Sequence, residues 1–148
     1  MAALTAPTRP GPPVGGRSER LRTPLLTVGG LAAATLALHL RDPHRSGSWG
    51  VCPLSLTGIY CPGCGGLRAV NDLTDGDVRA AASSNLLVTV GIPIAVVALA
   101  LWLVTAWRGT PGWRPRPALQ RILWWAGAAI ALAFFVVRNT PPGAWLAP

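Results

Sequence analysis

The residues best suited to chemistry are three cysteines that share one short segment of this 148-residue chain. Cys52 precedes a proline, while Pro62 and Gly63 separate Cys61 from Cys64. Proline and glycine favour tight turns, so the Cys61 and Cys64 thiols are expected to converge on one point. This spacing is typical of half a zinc site and also of a redox dithiol.

Three chemistries fit these cysteines. In an oxidising compartment, Cys52 can pair with Cys61 or Cys64 in a disulfide that staples the segment as a structural or interaction element. Three thiolates also form three corners of a tetrahedral zinc site, with His44 as the fourth ligand and His39 as a weaker candidate. Cys61 and Cys64 can instead exchange with a partner disulfide while Cys52 acts as a resolving thiol. The disulfide staple is the leading interpretation, and zinc binding and redox exchange are its alternatives.

Long apolar segments must position the cysteines. The chain is 51% hydrophobic and only 12% charged, whereas a soluble domain carries about 25% charged residues. No charged residue occurs in segments 25–40, 86–107 and 122–137. A membrane-spanning helix needs roughly 17–25 apolar residues. We therefore predict an all-α integral membrane protein with three transmembrane helices.

The predicted boundaries follow these apolar segments. Spanning helices are expected over residues 23–40, 86–107 and 119–138, and Arg121 and Arg138 extend the third by reaching towards the two interfaces. The other predicted parts are a disordered basic tail (1–22), a Cys-motif loop with short helices (41–85), a Pro/Gly/Arg linker (108–118) and a C-terminal tail (139–148).

The distribution of charge predicts the orientation. Thirteen basic and five acidic residues give a formal charge of +8, but the charges lie between the spans and form no patch typical of a nucleic-acid-binding domain. The tail and the linker hold eight arginines against five on the other side. Because arginine is enriched in cytoplasmic loops, the N-terminus is expected in the cytoplasm and the Cys-motif loop on the extracytoplasmic side of the cell membrane.

Other functions find little support in the sequence. There is no phosphate-binding loop, no pair of histidines on a helix and no carboxylate within an apolar span, so no catalytic residue is assigned. Zinc is the one candidate cofactor. The lipid bilayer is the expected partner, and small-residue pairs such as Gly29 with Ala33 suit a homo-oligomer or another membrane protein.

A short amphipathic helix is predicted directly after Cys64. Leu67, Val70 and Leu73 repeat at helical spacing, which indicates one apolar face. Cys64 then lies near a helix N-terminus, whose partial positive charge favours a thiolate. Asp77 is expected to cap the next helix, which leads into the second span.

The segment around these cysteines resembles the domain of unknown function 2752 family, small bacterial membrane proteins. The residues that carry the resemblance are Cys52-Pro53, Thr57-Gly58, Cys61-Pro62-Gly63-Cys64-Gly65, Arg68-Ala69, Leu73, Gly76-Asp77, Ala81 and Asn85-Leu86. The resemblance implies a membrane location and a shared motif, with no established reaction.

Two positions depart from the family pattern. Leu67 replaces a threonine before Arg68, which removes a hydroxyl beside the cysteines. Leu86 replaces a proline after Asn85, from which we expect a smoother entry into the second span. Arg68 itself is four residues before Asp72, so it can form an ion pair within the helix or face a headgroup phosphate.

Overall fold

The structure, a computed structural model, describes residues 16–45 and 53–146. Most of these residues are helical and none lies in a strand. Three of the helices are long and apolar enough to cross a membrane, which confirms the predicted fold class. The helices are α1 (Arg17–Leu40), α2 (Gly66–Thr74), α3 (Val78–Arg108) and α4 (Pro117–Arg138), with 3₁₀ helices at Pro53–Thr57 and Pro141–Leu146.

Helix α1 begins earlier than the sequence suggests. It starts at Arg17, so residues 17–22 of the predicted disordered tail are helical, and Pro24 lies inside the helix. Contacts with the end of α3 explain the difference. Arg20 Nε donates a hydrogen bond to the Ala106 carbonyl at 3.4 Å, and the Arg17 guanidinium lies 4.8 Å from the Trp107 ring centroid. Residues 1–15 of the predicted tail lie outside the described residues.

The opposite end of α1 contacts α2. The Leu38 carbonyl accepts a hydrogen bond from Asn71 Nδ2 at 3.1 Å. His39 Nδ1 lies 3.0 Å from Thr74 Oγ1 and 3.3 Å from a carboxylate oxygen of Asp75. Since α2 packs on α3 and the start of α1 contacts the end of α3, helices α1 and α3 run antiparallel.

Helix α3 contains a sharp break at its membrane entry. Asp77 caps its start, as predicted, by accepting a hydrogen bond from the Ala80 amide at 2.8 Å. Asn85 then leaves the helical conformation, with φ −163° and ψ 99°, and its Oδ1 accepts from the Val88 amide at 3.0 Å. Asn85 is therefore a second N-cap. The expected smooth entry at Leu86 is wrong, because this cap restarts the helix even without the proline.

The predicted amphipathic helix exists as α2, and its polar side faces inward. Leu67 is 46% exposed, whereas Asn71 and Asp72 are only 5% and 6% exposed. Ala69 is fully buried against the rest of the protein. Val70 and Leu73 are half-buried. The buried Asn71 and Asp72 side chains form hydrogen bonds inside the protein, with the Leu38 carbonyl and with Ser84.

Helix α4 contacts the rest of the described protein chiefly through its C-terminal end. Arg138 is the one buried residue of this helix in the described chain. The second 3₁₀ helix packs back on α4 and on α3, with Gly143 and Leu146 buried. This return places the end of the third span beside the cysteine segment.

Gly143→Ala should disrupt the return of the second 3₁₀ helix. A Cβ atom at this position would overlap the Val137 carbonyl, so the backbone must shift, at a cost of about 1–3 kcal/mol in the free energy of unfolding. Denaturant titration in detergent micelles measures the loss. Gly127→Ala is the matched control, because a Cβ there meets no atom within 4 Å and alanine favours a helix. Equal stability of the two variants would contradict the packing described.

Candidate functional site

Residues 60–64, here called the cysteine loop, form a tight turn ahead of α2. The Cys64 amide donates to the Cys61 carbonyl at 3.0 Å, and the Gly66 amide donates to the Gly63 carbonyl at 3.0 Å. Gly65 adopts a left-handed conformation with φ 76° and immediately precedes α2, a conformation that glycine reaches without steric cost. This turn brings the two cysteine side chains to the same side, as the sequence predicts.

Arg138 holds the cysteine loop from the end of α4. One guanidinium nitrogen, Nη1, donates to the Cys61 carbonyl at 2.9 Å and to the Cys64 carbonyl at 3.1 Å. The other, Nη2, donates to the Leu146 carbonyl at 2.9 Å. The side chain is 1% exposed. The expectation that Arg138 reaches the membrane interface is therefore wrong, because these backbone carbonyls solvate its charge inside the protein.

Asn85 holds the same loop from α3. Its Nδ2 donates to the Pro62 carbonyl at 2.8 Å and to the Cys64 carbonyl at 2.9 Å, while Oδ1 caps the helix at Val88. The side chain is completely buried. Both donors of its amide nitrogen thus bind the cysteine loop, while its oxygen binds the start of the membrane segment of α3.

Asn139 fixes the beginning of the cysteine loop. It accepts a hydrogen bond from the Tyr60 amide at 2.9 Å through Oδ1 and donates to the Tyr60 carbonyl at 2.9 Å through Nδ2. The side-chain amide therefore pairs with Tyr60 as a neighbouring strand would. Together with the turn and the two side chains above, every backbone carbonyl of the loop has a hydrogen-bond donor.

The two cysteines of the loop are adjacent and differ in accessibility. Their Sγ atoms lie 3.1 Å apart. Cys61 is partly exposed, whereas Cys64 is 8% exposed. The Arg138 guanidinium is close enough to interact electrostatically with both sulfurs. A positive charge beside a thiol favours the thiolate, which is the nucleophilic and metal-binding form.

His44, the predicted fourth zinc ligand, lies between two carboxylates. Its Nδ1 is 2.9 Å from Asp42 and its Nε2 is 3.2 Å from Asp72. Asp72 also accepts a hydrogen bond from Ser84 at 2.8 Å. The backbone amide of His44 and then its ring hold the pKa of Asp42 below its usual value. This arrangement ties the segment after α1 to α2 and α3.

The described residues contain no group of three or more side chains able to hold a metal ion. Cys52 lies outside them, so the Cys52 pairings and the full zinc ligand set stay predictions. The possible ion pair of Arg68 with Asp72 is not among the contacts of the described chain, where Asp72 faces His44 and Ser84.

The comparisons with known proteins concern the cysteine segment. A family model described as "Protein of unknown function (DUF2752)" matches residues 52–99, which confirms the family resemblance. The match includes Asn85, whereas Arg138 and Asn139 lie outside it. Neither the curated proteins nor the solved structures gave any match.

Arg138→Lys should destabilise the protein by at least about 2 kcal/mol. A lysine ammonium cannot reproduce the planar set of donors that serves three separate carbonyls, and it leaves buried acceptors unsatisfied. Unfolding free energies in detergent micelles measure the effect. Arg79→Lys is the matched control at an exposed position and should change stability by less than about 0.5 kcal/mol. A similar effect of both substitutions would refute the structural role of Arg138.

Proposed function

We propose that this membrane protein is a thiol–disulfide exchange module, with Cys61 and Cys64 as its exchanging pair. The observation that carries the proposal is the 3.1 Å separation of their Sγ atoms. Two thiolates on one zinc ion, with Zn–S bonds of about 2.3 Å in a tetrahedron, lie about 3.8 Å apart. The shorter separation favours direct bond formation between the sulfurs over shared metal coordination.

The two cysteines are suited to different steps of the exchange. Partly exposed Cys61 is the thiol that a partner protein can reach, and buried Cys64 is the thiol that resolves the mixed disulfide. Arg138 favours the thiolate form of both, since its charge interacts with both sulfurs. The hydrogen bonds from Arg138 and Asn85 to the loop carbonyls hold the backbone that keeps the two sulfurs next to each other.

The exchange needs no cofactor, because electrons and protons pass directly between the Cys61–Cys64 pair and the partner's disulfide. The Cys61 thiolate attacks one sulfur of a partner protein's disulfide, and the partner's other sulfur leaves as a thiolate. The Cys64 thiolate then attacks the Cys61 sulfur, which forms the Cys61–Cys64 disulfide and releases the partner's second sulfur. The pair loses two electrons, the partner gains them, and the protons from Cys61 and Cys64 end on the partner's two thiols.

We also propose that the cysteine loop lies on the extracytoplasmic side of the membrane. The starts of α1 and α4 and the end of α3 share one end of the protein, opposite the cysteine loop. The arginines of the tail and the linker belong to that end, so their excess supports a cytoplasmic position for it. The cysteine loop then faces the extracytoplasmic compartment, where disulfide substrates are available.

Cys64→Ser, made in a Cys52→Ser background, should trap a mixed disulfide on Cys61. Intact cells are reduced, washed and treated with oxidised glutathione, a charged disulfide that crosses bilayers poorly. We expect one glutathione per chain by mass spectrometry, because the resolving thiol is gone. The matched Cys61→Ser variant should react about tenfold more slowly, since its remaining thiol is buried.

Each other outcome overturns a stated part of the proposal. Trapping that appears only after cell lysis would place the cysteine loop on the cytoplasmic side. Equal rates in the two variants, or no trapping even after lysis, would refute the division of roles between Cys61 and Cys64. If the purified wild-type protein holds one zinc ion per chain that blocks both thiols, the site binds metal and redox exchange is refuted.

A further inference from the structure

Seven arginines collect at the end of the protein opposite the cysteine loop. They belong to the start of α1, the end of α3, the linker and the start of α4: Arg17, Arg20, Arg22, Arg108, Arg114, Arg116 and Arg121. All are exposed except Arg20, which is half-buried. Glu19 is the one acidic residue of the described segments 16–22 and 108–121. This end of the protein therefore carries a strong excess of positive charge.

Arg17 and Arg20 of α1 contact the last turn of α3, which also holds Arg108. The Arg17 guanidinium carbon lies over the Trp107 ring, 4.8 Å from its centroid. Arg20 Nε donates to the Ala106 carbonyl at 3.4 Å. Arg108 directly follows Trp107 and is the last residue of α3. The packing of α1 on α3 thus gathers these three arginines, here called the basic junction, although like charges repel one another.

Packing at the end of α3 accounts for Arg20. A Cβ atom at Gly109 would lie 3.1 Å from the nearest nitrogen of the Arg20 guanidinium, so this side chain fills the space that the glycine leaves. A cation is favourable there, because the last carbonyls of a helix carry partial negative charge. Within residues 16–45 and 53–146, by contrast, the side chains of Arg17 and Arg108 form no hydrogen bond or ion pair.

The Arg17 guanidinium is held in position while its donors stay available. The residue is exposed, and its contact with Trp107 is a cation–π contact, which engages the charge without an acceptor atom. A guanidinium presents a planar set of donors that matches the oxygens of a phosphate group. Because the indole ring already restricts Arg17, less side-chain freedom is lost when such an anion binds.

We propose that the basic junction binds the phosphate of an anionic phospholipid headgroup, chiefly through Arg17 and Arg108. A lipid fits better than a free anion, because one spanning helix begins and another ends at the junction. Trp107 and Trp113 of the following linker are also largely exposed there, and indole rings prefer the headgroup region. Basic clusters at a membrane boundary attract anionic headgroups. This inference is independent of thiol exchange, since the junction lies at the end opposite both loop cysteines and can act in either leaflet.

Native mass spectrometry of the full chain tests the site. Protein extracted from vesicles with equal parts of phosphatidylglycerol and phosphatidylcholine should retain phosphatidylglycerol in preference. Arg17→Gln should retain at least about fivefold less of this lipid, which is the effect of one basic residue near an anionic surface. Arg79→Gln is the matched control, because it removes an exposed arginine from the opposite end of α3, and it should keep the wild-type retention.

Arg108→Gln separates lipid binding from folding. Its side chain forms no hydrogen bond or ion pair in the described chain, so its thermal midpoint in a neutral detergent should match the wild type while its lipid retention falls as in Arg17→Gln. Equal retention of the two lipids by the wild type would overturn the proposal, and so would equal losses in Arg17→Gln and Arg79→Gln. If millimolar inorganic phosphate displaces the retained lipid, the ligand is a free oxyanion and the lipid assignment is wrong.

Discussion

The rest of the structure depends on the contact between the Arg138 guanidinium and the carbonyls of the cysteine loop. Carbonyls of a turn that is packed between helices are shielded from water, so the protein must supply the donors itself. A buried guanidinium has the reverse problem, because it has many donors and must find acceptors. At Arg138 these two requirements satisfy each other. The rings of Phe134 and Tyr60, with centroids 4.9 Å and 5.9 Å from the guanidinium carbon, add cation–π contacts.

This contact joins the spanning helices at one end of the protein. Asn85 restarts α3 and binds the carbonyl of Cys64 that Arg138 also binds from α4. The cysteine loop is therefore a shared binding partner of two spans, which otherwise present mostly apolar surface outward. A loop held in this way has little freedom, and its two sulfurs keep a fixed separation.

The sequence predicts those features whose cause lies within a few neighbouring residues or within one apolar segment. Long apolar runs predict the three spans, and Asp77 caps α3 because the carboxylate and its amide partner are near neighbours in sequence. The rest depends on distant contacts. An arginine that ends an apolar span has the same sequence pattern whether it reaches lipid headgroups or turns inward, so the sequence does not predict the role of Arg138. Burial of Asn71 and Asp72 likewise depends on partners from other segments.

A double-mutant cycle between Arg138 and Asn85 tests the central claim most directly. The unfolding free energies of Arg138→Lys, Asn85→Ala and the double variant would be compared with that of the wild type. Because both side chains bind the Cys64 carbonyl, the two losses should not add, and a coupling energy of about 0.5–3 kcal/mol is expected. Losses that add within about 0.3–0.5 kcal/mol would show that the two residues act independently, and would contradict a cysteine loop held jointly by the second and third spans.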